Sequence, residues 1–297
     1  MATLACLGLG YCAQRYVSEY GGRFAPIIGT TRTAERAAEL AARDFGGRRV
    51  EMIAFDGMTA SRGLLAVIEQ ANALLISAAP DEQGDPVLGA LHEALAAAPR
   101  LSSVVLLSTI GVYGDRAGGW VDETAALDPA NERARPRIAA EQAWQEFGRR
   151  RATPVAVLRL GGIYGPAQNA LVNVRSGRAR NVEKRGQVFN RIHVADIAQA
   201  IDAAFAHRAA GVFNVVDDGP SPPGDPIAFA AELLGLPPPP AIPFAEAVKT
   251  MTPMAASFYA ENRRVRNDKL KQVLGVRLRY PTYREGLRAL HAREGES

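Results

Sequence analysis

Thr3-Leu4-Ala5-Cys6-Leu7-Gly8-Leu9-Gly10-Tyr11-Cys12-Ala13 opens the chain with a short apolar run that ends in a glycine-rich turn. The run reads as a buried strand, and Gly8, Gly10 and Ala13 fit G-x-G-x-x-[G/A]. In that pattern the first Gly permits a tight turn and the second lets a pyrophosphate approach the backbone. The small third residue lets the next helix pack close to the strand. The amides of Tyr11, Cys12 and Ala13 at the start of that helix then face the phosphates. Three small residues at this spacing are common in a chain with 28 glycines, so the segments that follow must decide the reading.

They keep a regular rhythm. Helix Tyr11 to Glu19 is followed by strand Phe24 to Thr30, and Thr33 caps a helix from Ala34 to about Asp44. Further strands are expected at Val50 to Phe55, Ala73 to Ser77, Ser103 to Leu107, Val155 to Leu160 and Val212 to Val216. Helices Arg62 to Gln70, Pro86 to Ala98 and Pro136 to Phe147 alternate with them, and Ile192 to Asp196 opens one more, through Ala206. Strands alternating with helices predict right-handed βαβ units, and hence an α/β fold with a doubly wound parallel sheet of Rossmann type. A ligand belongs at the C-terminal ends of such strands. Gly111 to Pro129, rich in turn formers, reads as a loop over that edge.

Beyond residue 217 the composition turns proline-rich. One helix is expected there, capped by Asp225 with Pro226 in its first position and ended by Gly235. Pro237 to Pro240 reads as a stiff surface connection, and Lys269 to Leu274 and Tyr280 to Leu290 as further helical pieces. The expected organisation is a dinucleotide-binding domain, 1–164 plus 191–216, and a smaller C-terminal substrate lobe, 165–190 plus 217–297.

Composition narrows the function classes. With 47% hydrophobic and 22% charged residues the chain is globular, and it holds no apolar run long enough for a membrane span. The first strand begins almost at Met1, which favours the cytoplasm. The net charge of +4 is spread along the sequence without aromatic interleaving, which argues against nucleic acid. Cys6 and Cys12 lack metal-ligand spacing and read as small buried apolar residues.

Several later stretches carry a family resemblance. Asp56 follows the third strand. Ser108-Thr109-Ile110-Gly111-Val112-Tyr113-Gly114 follows the fifth, and Leu158-Arg159-Leu160-Gly161-Gly162-Ile163-Tyr164-Gly165-Pro166 the sixth. His193-Val194-x-Asp196 and Phe213-Asn214-Val215 complete the order. Together with the glycine turn they resemble the extended short-chain dehydrogenase/reductase family, the epimerase and dehydratase-like group, over nearly the whole chain. The Gly-Leu-Gly-Tyr turn and an Arg-rich segment further resemble the atypical subgroup of bacterial YeeZ-like proteins.

The cofactor expectation follows from the end of the second strand. NAD binders place an acid there for the ribose hydroxyls, whereas NADP binders have an Arg for the 2′-phosphate. Gly29-Thr30-Thr31-Arg32 has no acid until Glu35. Arg32, with Thr31 or Thr33 beside it, therefore favours NADP(H) over NAD(H). The resemblance implies an adenine contact for Asp56, with a turn role as its alternative, and close passage of the ribose past Ala78 and Ala79.

For the chemistry, the resemblance makes Thr109 the residue that orients the reacting oxygen. It also implies a Tyr-x-x-x-Lys pair for proton transfer. Counting from Glu141, these positions hold Arg133 and Arg137. A guanidinium cannot replace a titrating phenol, although Arg137 can still bond a ribose hydroxyl. Tyr113 and Tyr164 are the candidate replacement donors, each with packing as its alternative, and His193 reads as a helix-start residue. Arg133, Arg137 and Arg159 are candidates for an anion pocket. The expected activity is hydride transfer to or from a carbonyl or hydroxyl of a small, anionic metabolite. The rivals are a non-catalytic NADP-binding sensor and nucleotide-sugar epimerase or dehydratase chemistry; a homodimer is the assembly held open.

Overall fold

In the computed structural model, residues 1–128, 132 and 134–295 are described. Seven parallel strands form the central sheet: β1 (Ala2–Leu7), β2 (Phe24–Thr31), β3 (Glu51–Ala54), β4 (Ala73–Ile76), β5 (Ser103–Thr109), β6 (Val155–Leu160) and β7 (Gly211–Val215). Their spatial order is β7-β6-β5-β4-β1-β2-β3, which reverses direction at β1. The doubly wound fold expected from the alternation is the fold observed.

The strands are near-continuous apolar runs because both faces are covered. Helices α1 (Tyr11–Tyr20) and α2 (Ala34–Ala41) pack on one face, and α3 (Arg62–Gln70), α4 (Pro86–Ala97) and α5 (Arg135–Arg151) on the other. Thr33 caps α2 by accepting from Arg36 N, and Asp85 caps α4 by accepting from Val87 N and Leu88 N.

Several boundaries differ from expectation. Helix α5 continues through Arg151 because Gly148, rather than breaking it, lies against Val155 where a Cβ would collide. Residues 191–193 form a short strand paired with Gly162–Tyr164, and the following helix α6 (Val194–Ala206) starts only after it. Asp225 is the first residue of helix α7 (Asp225–Leu233), with Gly224 ahead of it, so the expected cap is displaced by one position.

Leu171, Phe229, Tyr283 and Leu287 gather with Tyr164 in a small separate core. Leu270, Leu274 and Val276 instead join the core of the sheet, so the chain beyond 217 is shared between the two. Both cysteines are buried, which pushes their thiols up to about 12, as befits small core residues. No described helix is long and apolar enough to cross a membrane.

Candidate active site

A cleft of about 1230 Å³ lies across the C-terminal ends of β1, β2 and β4. Its floor is the turn after β1. Gly8 has φ +97°, and a Cβ there would stand 2.8 Å from Ala78 N. Gly8 N donates to Thr30 Oγ1 at 2.9 Å, and its carbonyl accepts from Ser77 Oγ at 2.7 Å. The turn is thus pinned from both neighbouring strands.

Gly10 then leads into α1 with extended backbone, no capping side chain and no acid in the first turn. First-turn N–H groups and the positive end of the helix dipole point at the cleft, a setting that favours an anion. Cys12 and Ala13 send their side chains into the core, which leaves only their backbone for a ligand. Tyr11 lines the cleft, and its hydroxyl donates to Pro166 O at 2.9 Å.

The structure brings most of the expected cofactor residues to this cleft. Gly8, Gly10 and Tyr11, then Thr31 and Arg32, then Asp56, and then Ala78 and Ala79 all line it. Arg32 is exposed and forms no hydrogen bond or ion pair with the other described residues. Asp56 holds a turn at the rim of the cleft. It faces the cleft while Oδ1 accepts from Met58 N at 2.8 Å and Thr59 N at 3.3 Å, bonds that hold its carboxyl below the usual range.

Arg36 and Arg43 also line the cleft and were missed. Arg36 pairs with Glu39 at 2.6 Å, and Arg43 donates to Gln14 Oε1 at 3.2 Å. The available signal was the position of Arg36 in the first turn of α2, just after the strand end that carries Arg32. Ser77 and Thr30 were missed as well, since their roles depend on which strands neighbour β1.

The expected catalytic residues do not gather there. Thr109 caps a 3-10 turn, Ile110–Tyr113, by accepting from Gly111 N at 3.1 Å. Tyr113 is fully buried beneath that turn. Its hydroxyl donates to Asn214 Oδ1 at 2.7 Å and accepts from Arg159 Nη1 at 2.9 Å, and burial raises its pKa. The proton-donor reading of Tyr113 is therefore corrected to a structural one.

Tyr164 lies edge-on to His193, with ring centroids 5.1 Å apart, and its hydroxyl donates to Thr282 O at 3.3 Å. Burial raises its pKa too. It faces a neighbouring cavity, not the cleft. Arg137 Nη1 donates to Leu107 O at 3.2 Å and does not line the cleft, and Arg133 lies outside the described residues. Arg159 is buried against Glu141 at 2.7 Å, which removes it from any open anion pocket. His193 is the expected helix-start residue. Its Nδ1 accepts from Ala195 N at 3.1 Å, and burial, then Arg15, Arg293 and Arg279, lower its pKa to about 3.

One buried acid near this edge predicts a pH effect. Asp217, 2% exposed, accepts from Gly219 N at 3.2 Å, and burial pushes its carboxyl from 3.8 up to about 7. An acid that holds its proton more tightly when folded stabilises the fold in its protonated form. That contribution is complete below about pH 4 and is lost as pH rises through about 7. Urea denaturation at about pH 5 and about pH 8 is expected to show wild type losing stability relative to Asp217→Asn at the higher pH. An unchanged difference between the two proteins would overturn this.

Residues 86–216 match the model of the NAD dependent epimerase/dehydratase family. That segment, under half of the chain, is similar to the family. A conserved protein of unknown function from Silicibacter pomeroyi is 46% identical and superposes with a TM-score of 0.87 over 100% of both chains. A human epimerase family protein, SDR39U1, solved with NADPH, is 17% identical with a TM-score of 0.72, covering 98% of this chain and 99% of that one. Other chains of the same fold, 17% to 20% identical, were solved with NAD. Among curated proteins, a Streptomyces 3-diazoavenalumate denitrifying reductase is 31% identical over 137 residues, which are 44% of this chain and 45% of that reductase. The match thus spans under half of the curated relative's length.

Proposed function

We propose that this chain binds NADP(H) and acts as an oxidoreductase, moving hydride to or from a carbonyl or hydroxyl of a small metabolite. The observation that carries the reading is the cleft itself. It joins an uncapped helix start over a glycine turn at one end to the unpaired Arg32 at the other. The helix start suits a pyrophosphate and Arg32 suits a 2′-phosphate. The family match and the partial likeness to a reductase support oxidoreductase chemistry. Neighbours of this fold carry NAD or NADPH, so the choice between the two falls to this chain's own residues. The cofactor when bound supplies the hydride; Thr109, at the end of β5, is the residue assigned to orient the reacting oxygen.

The sensor reading is favoured by a separate observation: both candidate tyrosines spend their hydroxyls on protein partners. Placement beside the YeeZ-like proteins rests on the Gly-Leu-Gly-Tyr turn and on Arg133 at the tyrosine position.

Calorimetric titration with NADPH and NADH tests the cofactor assignment. Tighter binding of NADPH is expected, with Arg32→Glu weakening it about 10- to 100-fold, the scale of a lost charge-assisted contact. Equal affinities, or no loss in Arg32→Glu, would sink it. Turnover of carbonyl substrates with NADPH, compared between wild type and Thr109→Ala, separates enzyme from sensor.

A further inference from the structure

A second cavity, of about 550 Å³, opens on the far side of the Gly165–Gln168 turn. Ala167 and Gln168 line both this cavity and the larger cleft, so the two spaces share a wall. That wall is fixed from several directions. Gly165 and Gln168 exchange backbone hydrogen bonds of 2.9 and 3.1 Å. Tyr11 bonds Pro166 O, and Asn169 Nδ2 donates to Gly165 O at 2.9 Å. Ala167 holds φ +64°, an uncommon conformation for a residue with a Cβ and one that concentrates at ligand sites.

The charge of the cavity is one-sided. Arg178 and Arg191 line it, and among the described residues no Asp or Glu does. The half-buried Arg191 spends its bonds on neutral oxygens: Phe189 O at 3.1 Å, Ser221 Oγ at 2.7 Å, and Ser221 O and Pro222 O at 3.4 Å. Its Nε–H remains unused among the described residues. Burial lowers the pKa of Arg191, while Asp217 and Asp225 act on it electrostatically without forming an ion pair. Asp217 itself, with its carboxyl near 7, is only partly charged at neutral pH. Exposed Arg178 donates from Nε to Ser176 Oγ at 2.9 Å and pairs with no described carboxylate.

A desolvated cation that forms no ion pair is unfavourable, and an entering oxyanion relieves it. The guanidinium fork can bond two oxygens of a carboxylate or phosphate. Pro226, Ile227, Leu287 and the Tyr283 ring provide the apolar remainder of the wall, and the volume is that of a small-molecule site.

We infer that this cavity is a binding pocket beside the cleft that selects small molecules bearing a carboxylate or phosphate on an apolar body. Arg191 is the inner anchor and Arg178 the outer one. The inference rests on the proposed function for its place beside a dinucleotide, but the anion preference stands on the cavity alone.

Calorimetry on the cofactor-free protein tests it, with benzoate, phenyl phosphate and neutral benzamide as probes. At least one anion is expected to bind where benzamide does not, and the tighter of the two names the group. Arg178→Gln, at an exposed position that leaves the fold intact, is expected to weaken that binding about 10-fold. Arg191→Lys keeps the charge but loses the fork and should also weaken it. Benzamide binding as tightly as the anions, no anion binding at all, or affinity unchanged in both variants would overturn the inference. NADPH titrated into the same samples keeps the two readings apart. Unchanged NADPH affinity in Arg178→Gln assigns its effect to this cavity, whereas wild type failing to bind NADPH defeats the cofactor reading and leaves the anion comparison decisive here.

Discussion

Glu141→Ala is expected to cost about 3–5 kcal/mol of folding stability, the scale for removing one member of a buried ion pair. Glu141 on α5 is 1% exposed and its partner Arg159 on β6 is 3% exposed. Arg159 approaches the carboxylate with two nitrogens, Nε at 3.1 Å and Nη2 at 2.7 Å from Oε2, while Ser108 Oγ donates to Oε1 at 2.5 Å. Alanine would leave the guanidinium desolvated with only the Tyr113 hydroxyl beside it. A natural domain holds about 5–15 kcal/mol in total, so the loss is a large share. Urea denaturation followed by circular dichroism measures it, and a change below about 1 kcal/mol would contradict the account. The double substitution Glu141→Leu with Arg159→Met is expected to recover most of the loss, because no unpaired charge remains.

That network also shows where sequence reading stops. Ser108, Arg159 and Asn214 stand side by side on β5, β6 and β7 in one register row, and Tyr113 closes over them. Positions 108 and 159 were recognisable as parts of motifs. Their joint burial was not, because it depends on strand neighbours more than 50 residues apart in sequence. Arg159 consequently looked like a binding residue and Tyr113 like a donor, when each satisfies the other's buried polar atoms. Local features fared better. The seven strands could be read from apolar runs bounded by turns, and the cleft lining around Gly8, Arg32, Asp56 and Ala78 from the ends of those runs. Such assignments need only the period of the chain and the rule that ligands meet strand C-termini. Ser77 and Thr30, which pin the glycine turn from adjacent strands, required the sheet order first.

The two glycines of the opening turn are expected to respond differently to the same substitution. At Gly8, an alanine Cβ would meet Ala78 N at 2.8 Å and Ser77 C at 3.1 Å, both backbone atoms, with φ at +97°. Neither the contact nor the dihedral can be relieved by rotating a side chain. Gly8→Ala is therefore expected to lose about 1–3 kcal/mol of stability and, because the start of α1 moves with the turn, about 100-fold or more in NADPH affinity, an energy of about 2.7 kcal/mol. At Gly10 the backbone is extended, and the nearest atom to a new Cβ is Ser77 Oγ at 3.8 Å. Stability should stay within about 0.5 kcal/mol of wild type. Dinucleotide affinity should nevertheless fall, since this Cβ would occupy the approach that the second glycine leaves open to a pyrophosphate. Thermal melting and NADPH titration of the two variants measure this separation. If Gly10→Ala binds NADPH as wild type does, the pyrophosphate does not lie over this turn, and the dinucleotide reading of the cleft fails with it.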